Sequence, residues 1–321
     1  MKSIIINIGD ELLIGQVVNT NASTIAEQLN GAGVEVIRML AVPDDEEEIV
    51  RAFAESFPRS DVTVVTGGLG PTHDDITKKA VCRFLHTDLV SDAGVRKQIE
   101  EYLLGRNHPW SPAAEEQTLV PRGCVVIPNH HGTAPGELFE RDGRFLIVMP
   151  GVPHEMEHMM KEFVVPFFSG RSTGTILHRT LKTTGIPESA LADLLGPVTG
   201  FLSGGERLAF LPSPSGVRLR ITLAGGDRAP VESRAKQIES FIRLRADKYI
   251  FGADDEELAG VVGRMLRERG FRIAIAESCT GGMIANTITD IPGSSGYLDR
   301  AVVAYSNPSK IDLLGVPPRL I

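Results

Sequence analysis

Between Asp61 and Leu85 a glycine-rich loop, Gly67-Gly68-Leu69-Gly70-Pro71-Thr72, runs directly into two carboxylates, Asp74 and Asp75. Val62, Val64 and Val65 before it read as a buried parallel strand. Ile76, Ala80, Val81 and Phe84 after it recur at helical spacing. Glycines let a backbone approach a ligand closely, and a strand-to-helix turn aims N–H groups at an anion such as phosphate. Carboxylates beside a phosphate repel it unless a divalent cation lies between them, so the chemistry implied is phosphate plus metal. Asp10 and Glu11 follow one apolar strand and Asp44 follows another, so acidic groups from three loops converge at one sheet edge. The loop is neither G-x-G-x-x-G nor G-x-x-x-x-G-K-[ST]. Taken singly, a carboxylate at a helix start serves equally as a cap, and Glu46 to Glu48 read as macrodipole compensation.

A second constellation is Glu277-Ser278-Cys279-Thr280-Gly281-Gly282. Three potential nucleophiles lie between a strand and a helix N-terminus, where backbone N–H groups could hold an oxyanion. Residue chemistry alone favours Cys279 slightly, while Lys310, after a later strand with Tyr305 and Asn307, could act as base for a Ser-Lys pair. Ser and Thr here also suit simple helix caps.

The elements that must position these groups alternate. Strands are predicted at 3–8, 34–42 and from 61, with helices at 21–30 and 45–57 between them. A late strand at 145–149 leads into Pro150-Gly151-Val152-Pro153 and a helix at 154–168. That order implies an α/β domain with a three-layer parallel sheet and ligands at the strand C-termini. The run from Ser169 to Gly174 marks a linker. Beyond it, strands at 176–183, 208–211 and 217–223 and helices at 187–195 and 230–245 form a small α+β module over 175–252. Its Arg218, Arg220, Arg243 and Arg245 read as solvated faces. A third unit, 254–321, has helices at 256–269 and 283–289, strands at 271–276 and 301–304, and a helical start at 308–314. A β-α-β beginning with no sheet to complete it buries little apolar surface, so an incomplete, protease-sensitive α/β domain is expected.

Bulk properties narrow the classes. The chain has 321 residues, 42% hydrophobic and 23% charged, with a net charge of −8, which argues against a general nucleic-acid surface. Cys82, Cys124 and Cys279 form neither a disulfide framework nor a zinc pattern, which fits a reducing cytoplasm. No apolar run approaches membrane-spanning length, and the N-terminus lacks a signal-peptide core.

The first 168 residues resemble, motif by motif, the molybdopterin-binding domain family of MogA and MoaB type. Gly9-Asp10-Glu11-Leu12-Leu13 with Asn19-Thr20-Asn21, Pro43-Asp44, Thr66 to Thr77, and Pro150-Gly151-Val152-Pro153 with Glu155-Met156 occur in the family's order. The Leu69-Gly70-Pro71-Thr72-His73-Asp74-Asp75 form is that of the CinA (competence/damage-inducible) family. The resemblance implies hydrolysis of the ADP-ribose pyrophosphate with a divalent metal (Mg, Mn or Co). Asp75 and Asp44 would be catalytic, and Asp44, Asp74 and Asp75 would hold the metal. Asp10, Glu11, Asn21, Thr66, Gly67, Gly68, Gly70, Pro71, Thr72 and Gly151 would bind substrate, and the backbone N–H groups of Gly67 to Gly70 would hold developing charge. MogA relatives instead bind or adenylylate molybdopterin, so a pterin-binding module is the alternative, and a non-catalytic competence-related regulator a second.

The middle module resembles the KH-like domain of that family through Gly185-Ile186-Pro187-Glu188-Ser189. The last segment resembles its nicotinamide-mononucleotide (NMN) amidohydrolase domain through Ala276 to Gly282, Pro292-Gly293-Ser294-Ser295 and Val303-x-Tyr305-Ser306-Asn307-x-x-Lys310. By resemblance Ser278 is the nucleophile, Tyr305 and Lys310 assist, and Thr280, Gly281, Ser294 and Ser295 contact the nucleotide. The family's later SGIAGP element would fall beyond Ile321, so little deamidation is expected. The partners implied are small nucleotides and a second copy of the chain, without membrane or direct nucleic acid.

Overall fold

The computed structural model describes residues 1–70, 76–172, 174–213 and 215–321. Pro71, Thr72, Asp74 and Asp75 lie outside the described residues. The chain divides into two compact units, Met1–Leu177 with Leu223–Ser233, and His178–Thr222 with Arg234–Ile321.

The first unit runs β1 (Lys2–Ile8), α1 (Asp10–Leu13), α2 (Thr20–Gly31), β2 (Glu35–Val42), α3 (Glu46–Ser56), β3 (Val62–Thr66) and α4 (Thr77–Leu85). It continues through β4 (Leu89–Ser91), α5 (Ala93–Leu104), α6 (Pro112–Gln117), β5 (Leu119–Pro121), β6 (Val125–Ile127), β7 (Gly136–Arg141), β8 (Arg144–Met149), α7 (Pro153–Met159) and α8 (Val165–Ser169). Six strands form one sheet in the order β2-β1-β3-β8-β7-β6. The first four are parallel, as the alternation of strands and helices predicts, with Asn7 opposite Thr66 and Thr66 opposite Met149. The period-2 pattern sends alternate side chains to opposite faces. Ile5, Val64 and Ile147 pack with Ile25 and Leu29 of α2, and with Met156 and Phe168. Ile4, Ile6, Val65 and Val148 pack with Ile49 and Phe53 of α3 and Ala80 and Val81 of α4. The result is three layers, helices over both faces of the sheet.

The sequence reading assigns no element between 86 and 144, and here the sheet departs from a purely parallel one. β7 and β6 extend it antiparallel. Asp142 and Gly143 both take positive φ (54° and 72°) between Arg141 and Arg144, the conformation a two-residue hairpin turn requires. The predicted helix at 154–168 is also interrupted. A π-helical turn, Met160–Val164, separates α7 from α8, where Pro166 has no N–H to donate back along the helix.

From the linker onward come β9 (Thr175–Thr183), α9 (Glu188–Leu195), β10 (Arg207–Ser213), β11 (Gly216–Gly225), α10 (Arg228–Ala246) and β12 (Ile250–Ala253). The four strands form a sheet in the order β10-β11-β9-β12. β12 carries no alternating signature and is missed by periodicity. Arg243 is paired with Glu239 at 2.8 Å and Arg245 lies 3.6 Å over the Phe241 ring, so both serve α10 itself. Finally α11 (Leu258–Glu268), β13 (Ile273–Glu277), α12 (Met283–Thr289), β14 (Leu298–Val303) and α13 (Asn307–Leu314) form a β-α-β whose two strands pair parallel. No helix among the described residues is long and apolar enough to cross a membrane.

Candidate active site

At the C-terminal ends of β1, β3 and β8 lies a cavity of about 430 Å³, within the range of small-molecule sites. Gly67, Gly68, Leu69 and Gly70 form one wall, and Glu11, Asp44 and Glu155 bring carboxylates to it. Two of the glycines have a steric reason to be there. Gly67 has φ +112°, and a Cβ on it would collide with the Ile8 carbonyl; Gly68 has φ +63°, and a Cβ would collide with the Thr77 hydroxyl. Thr77 closes the loop behind them, its hydroxyl donating to Gly67 O at 3.0 Å and its amide to Gly68 O at 3.2 Å.

Another part of the lining comes from the β1 and β2 loops. Gly9 N–H donates to Val42 O at 3.1 Å, which holds the two loops together. Asp10 N–H donates to Asp44 Oδ2 at 3.0 Å, and Asp44 N–H donates to Asp10 Oδ1 at 3.3 Å. Asp45, one residue on, caps α3 by accepting from the Glu47 and Glu48 amides. The adjacent aspartates thus divide: Asp45 serves the helix and Asp44 lines the cavity.

Other expected residues are placed differently. The Gly67 amide donates to Met149 O at 3.1 Å, so it is spent on the sheet rather than on an anion. The Thr66 hydroxyl donates to Pro150 O at 2.9 Å, and the Asn21 side-chain amide donates to Gly151 O at 2.7 Å. These two side chains tie the β3 and β8 loops together. The sequence reading also misses part of the wall. Thr133 and Ala134, from the loop before β7, line the cavity with Glu155. The Asn129 side-chain amide donates to Glu155 Oε2 at 2.6 Å and to Ala134 O at 2.8 Å, fixing both. Glu155 lies within the quoted Pro150–Met156 motif, but its role depends on Asn129, which sits among residues without periodicity.

The same loop carries His131, whose N–H donates to Asn129 Oδ1 at 3.0 Å. Its ring centroid lies 3.6 Å from that of His158 and 4.9 Å from that of His154. Desolvation, and then the neighbouring His158 and His154, hold His131 below the usual imidazole value.

In the second unit, Ser278 follows β13 and Tyr305 follows β14. Glu277 pairs with Val303, and Ala304 N–H donates to Glu277 O at 2.8 Å, so both residues leave the same sheet edge. Tyr305 is exposed, as is Cys279. Lys310 lies in α13, whose start is capped by Ser306. Ser294 and Ser295 occupy a 3-10 turn ahead of β14, at the opposite end of the strands from Ser278. The helix N-terminus expected to hold an oxyanion is already engaged. Ile284 N–H and Ala285 N–H donate to the buried Glu277 carboxylate at 3.1 and 2.8 Å. The Thr280 hydroxyl also bonds Glu277 and is the main cause of its lowered pKa. A carboxylate accepting several N–H and O–H bonds is already the anion this end of the helix stabilises.

Residues 4–170 match the family model described as a probable molybdopterin binding domain, residues 178–252 the damage-inducible protein CinA KH domain, and residues 255–321 the CinA C-terminal domain. A CinA-like protein of Chlorobium limicola is 45% identical over 316 residues, covering 97% of this chain and 74% of that protein. Another, from Chloroherpeton thalassium, is 44% identical over 322 residues, covering 98% of this chain and 76% of the relative. The crystal structure of the protein CinA with unknown function from Thermoplasma acidophilum is 35% identical and covers 51% of this chain and 95% of its own, at a TM-score of 0.47. With a probable molybdopterin-binding domain followed by the CinA KH and CinA C-terminal domains, and with relatives 44–45% identical over nearly its whole length, the chain belongs to the CinA family.

Proposed function

We propose that the cavity of the first unit hydrolyses the pyrophosphate of ADP-ribose to AMP and ribose 5-phosphate with a divalent cation. The observation that carries this reading is the make-up of the wall. Glu11, Asp44 and Glu155 supply three carboxylates, and no Lys or Arg stands among the described residues lining the cavity. A dinucleotide pyrophosphate would be repelled from such a wall unless a hard cation intervened, and carboxylate oxygens are the ligands Mg²⁺ and Mn²⁺ take.

The residues present fit that ion. Asp10 and Asp44 each accept a backbone N–H from the other residue, which holds both carboxylates at the rim where hard oxygen ligands are wanted. The cation, when bound, would neutralise phosphate charge and lower the pKa of a water molecule. Asp44, with Asp74 and Asp75, would hold it. The loop from Gly68 to Gly70 lets the substrate's phosphates approach the backbone, with Gly67 anchoring the loop to β8. Glu155, fixed by Asn129, adds a further carboxylate to the lining.

The direct test is incubation of the full chain with ADP-ribose, with and without divalent metal, with detection of AMP. AMP release that needs the cation and falls with Asp75→Asn supports the reading. Full turnover in excess EDTA would remove the metal role. Absence of turnover together with tight molybdopterin binding would favour the pterin-binding alternative.

A further inference from the structure

We propose that His131, His154 and His158 form a site for a borderline transition-metal ion of the zinc class, separate from the carboxylate set. The three imidazoles bring one ligand nitrogen each, and these atoms all lie within 4.8 Å of one another. His154 and His158 are four residues apart on α7, so they project from one helix face. His131 reaches them from the loop that begins at Asn129.

Two features preorganise the cluster. His158 Nδ1 lies 2.8 Å from His154 O, and a carbonyl can only accept, so Nδ1 carries the proton. That bond leaves the Nε2 lone pair available for a metal, the arrangement by which a backbone carbonyl orients a metal-ligating histidine. On the other arm, Asn129 accepts the His131 N–H and fixes the loop at its root. A tetrahedral ion with bonds of about 2.0–2.1 Å needs nitrogens roughly 3.4 Å apart. The closure required is on the order of 1 Å, available to His154 because its side chain is exposed.

Ligand chemistry selects the ion. Three neutral imidazoles suit Zn²⁺, Co²⁺, Ni²⁺ or Cu²⁺ and not Mg²⁺ or Ca²⁺, which take oxygen. Three protein ligands leave one tetrahedral position for water or an anion oxygen. The site adjoins the cavity wall by sequence on both arms: His131 is two residues from Thr133, and His154 precedes Glu155. Asn129 joins the two, since its amide bonds Glu155 and its carbonyl oxygen bonds His131.

The test is titration of the full chain with Zn²⁺ alone by calorimetry in millimolar Mg²⁺, followed by Co²⁺ loading and visible spectroscopy. The expected result is one Zn²⁺ per chain, undiminished by Mg²⁺, and Co²⁺ bands of tetrahedral intensity. His158→Gln and His154→Gln should each weaken Zn²⁺ binding by at least ~100-fold, since losing even an orienting partner costs 10–100-fold. Cys279→Ser, which removes an exposed soft ligand elsewhere, should leave it unchanged. Circular dichroism of each variant checks the fold. No stoichiometric Zn²⁺ binding, binding unchanged in folded histidine variants, or binding abolished by Cys279→Ser would each overturn the site.

Discussion

Asp10 and Asp44 exchange backbone-to-carboxylate hydrogen bonds, Asp10 N–H to Asp44 Oδ2 at 3.0 Å and Asp44 N–H to Asp10 Oδ1 at 3.3 Å. The loops after β1 and β2 are thereby locked so that two carboxylates share one rim. Each would repel the other in water, and the arrangement keeps them together by giving each an N–H to accept.

That pairing separates two roles by substitution. Asp44→Asn keeps an oxygen that accepts the Asp10 amide but loses the charge. AMP release from ADP-ribose is expected to fall on the order of 100-fold. Thermal stability is expected to change by less than about 1 kcal/mol, as for an exposed hydrogen bond. The measurement is a paired rate and melting curve. A falling melting point with an unchanged rate would make Asp44 a loop clamp only.

Thiol chemistry gives a second test. Burial first, and then the Glu137 carboxylate, push the Cys82 thiol up to about 11 and the Cys124 thiol up to about 12. At pH 8 their thiolate fractions are on the order of 10⁻³ or less. Cys279 is exposed. One thiol should therefore react rapidly with a disulfide reagent in the folded chain and all three in denaturant. Cys279→Ser should remove the fast phase. Rapid labelling of Cys82 would show that α4 opens readily.

How much of this was legible follows from which forces act locally. The four parallel strands were readable because each is a mostly apolar run between turn signals, rich in β-branched residues in β1 and β3. The loop glycines were readable for the same reason: Gly67 and Gly68 need positive φ, and no other residue type tolerates it as well. β7 and β6 were not read, although Asp142-Gly143 is a strong hairpin signal, because the preceding α/β alternation pointed to parallel strands alone. The roles of Thr66 and Asn21 were illegible in principle. Both occur where ligands are expected, and only the distances to Pro150 O and Gly151 O show that they also tie two loops together. The histidines were missed because His131 is separated from His154 by a hairpin. A spacing rule finds the pair on α7 but not its third member.

Glu277 supplies a third prediction. Its carboxyl is held below the ordinary value of 4.5, first by the Thr280 hydroxyl and then by the Ala285 and Ile284 amides. A depressed carboxyl contributes stability above its unfolded pKa and loses it as pH falls through the lower folded value. The window therefore lies below about 4.5. At neutral pH, Glu277→Ala should speed amide hydrogen exchange at Ile284 and Ala285, with Glu277→Gln in between. Unchanged exchange at those two amides in Glu277→Ala would mean that the helix start does not depend on this cap.

Glu137 makes the fourth prediction, and its sign is opposite. The side chain is fully buried on β7, on the sheet face where Val148 and Phe139 pack, and neither carboxyl oxygen has a hydrogen-bond partner. Desolvation pushes its pKa up from 4.5 to about 7, while the Lys78 charge pulls the other way. Lys78 itself donates to Leu119 O at 2.8 Å. Because the folded state holds the proton more tightly than the unfolded state, folding binds a proton between about pH 4.5 and 7. Stability is therefore full below the unfolded pKa and falls as pH rises through that window, by an amount on the order of 3 kcal/mol. Glu137→Gln removes the titration while keeping the shape. Urea unfolding at pH 5 and pH 8 should show the native chain losing stability relative to Glu137→Gln as pH rises, with the two close together at pH 5. A native chain whose stability rose in parallel with the variant between those pH values would mean that the Lys78 charge outweighs the desolvation of the Glu137 carboxylate.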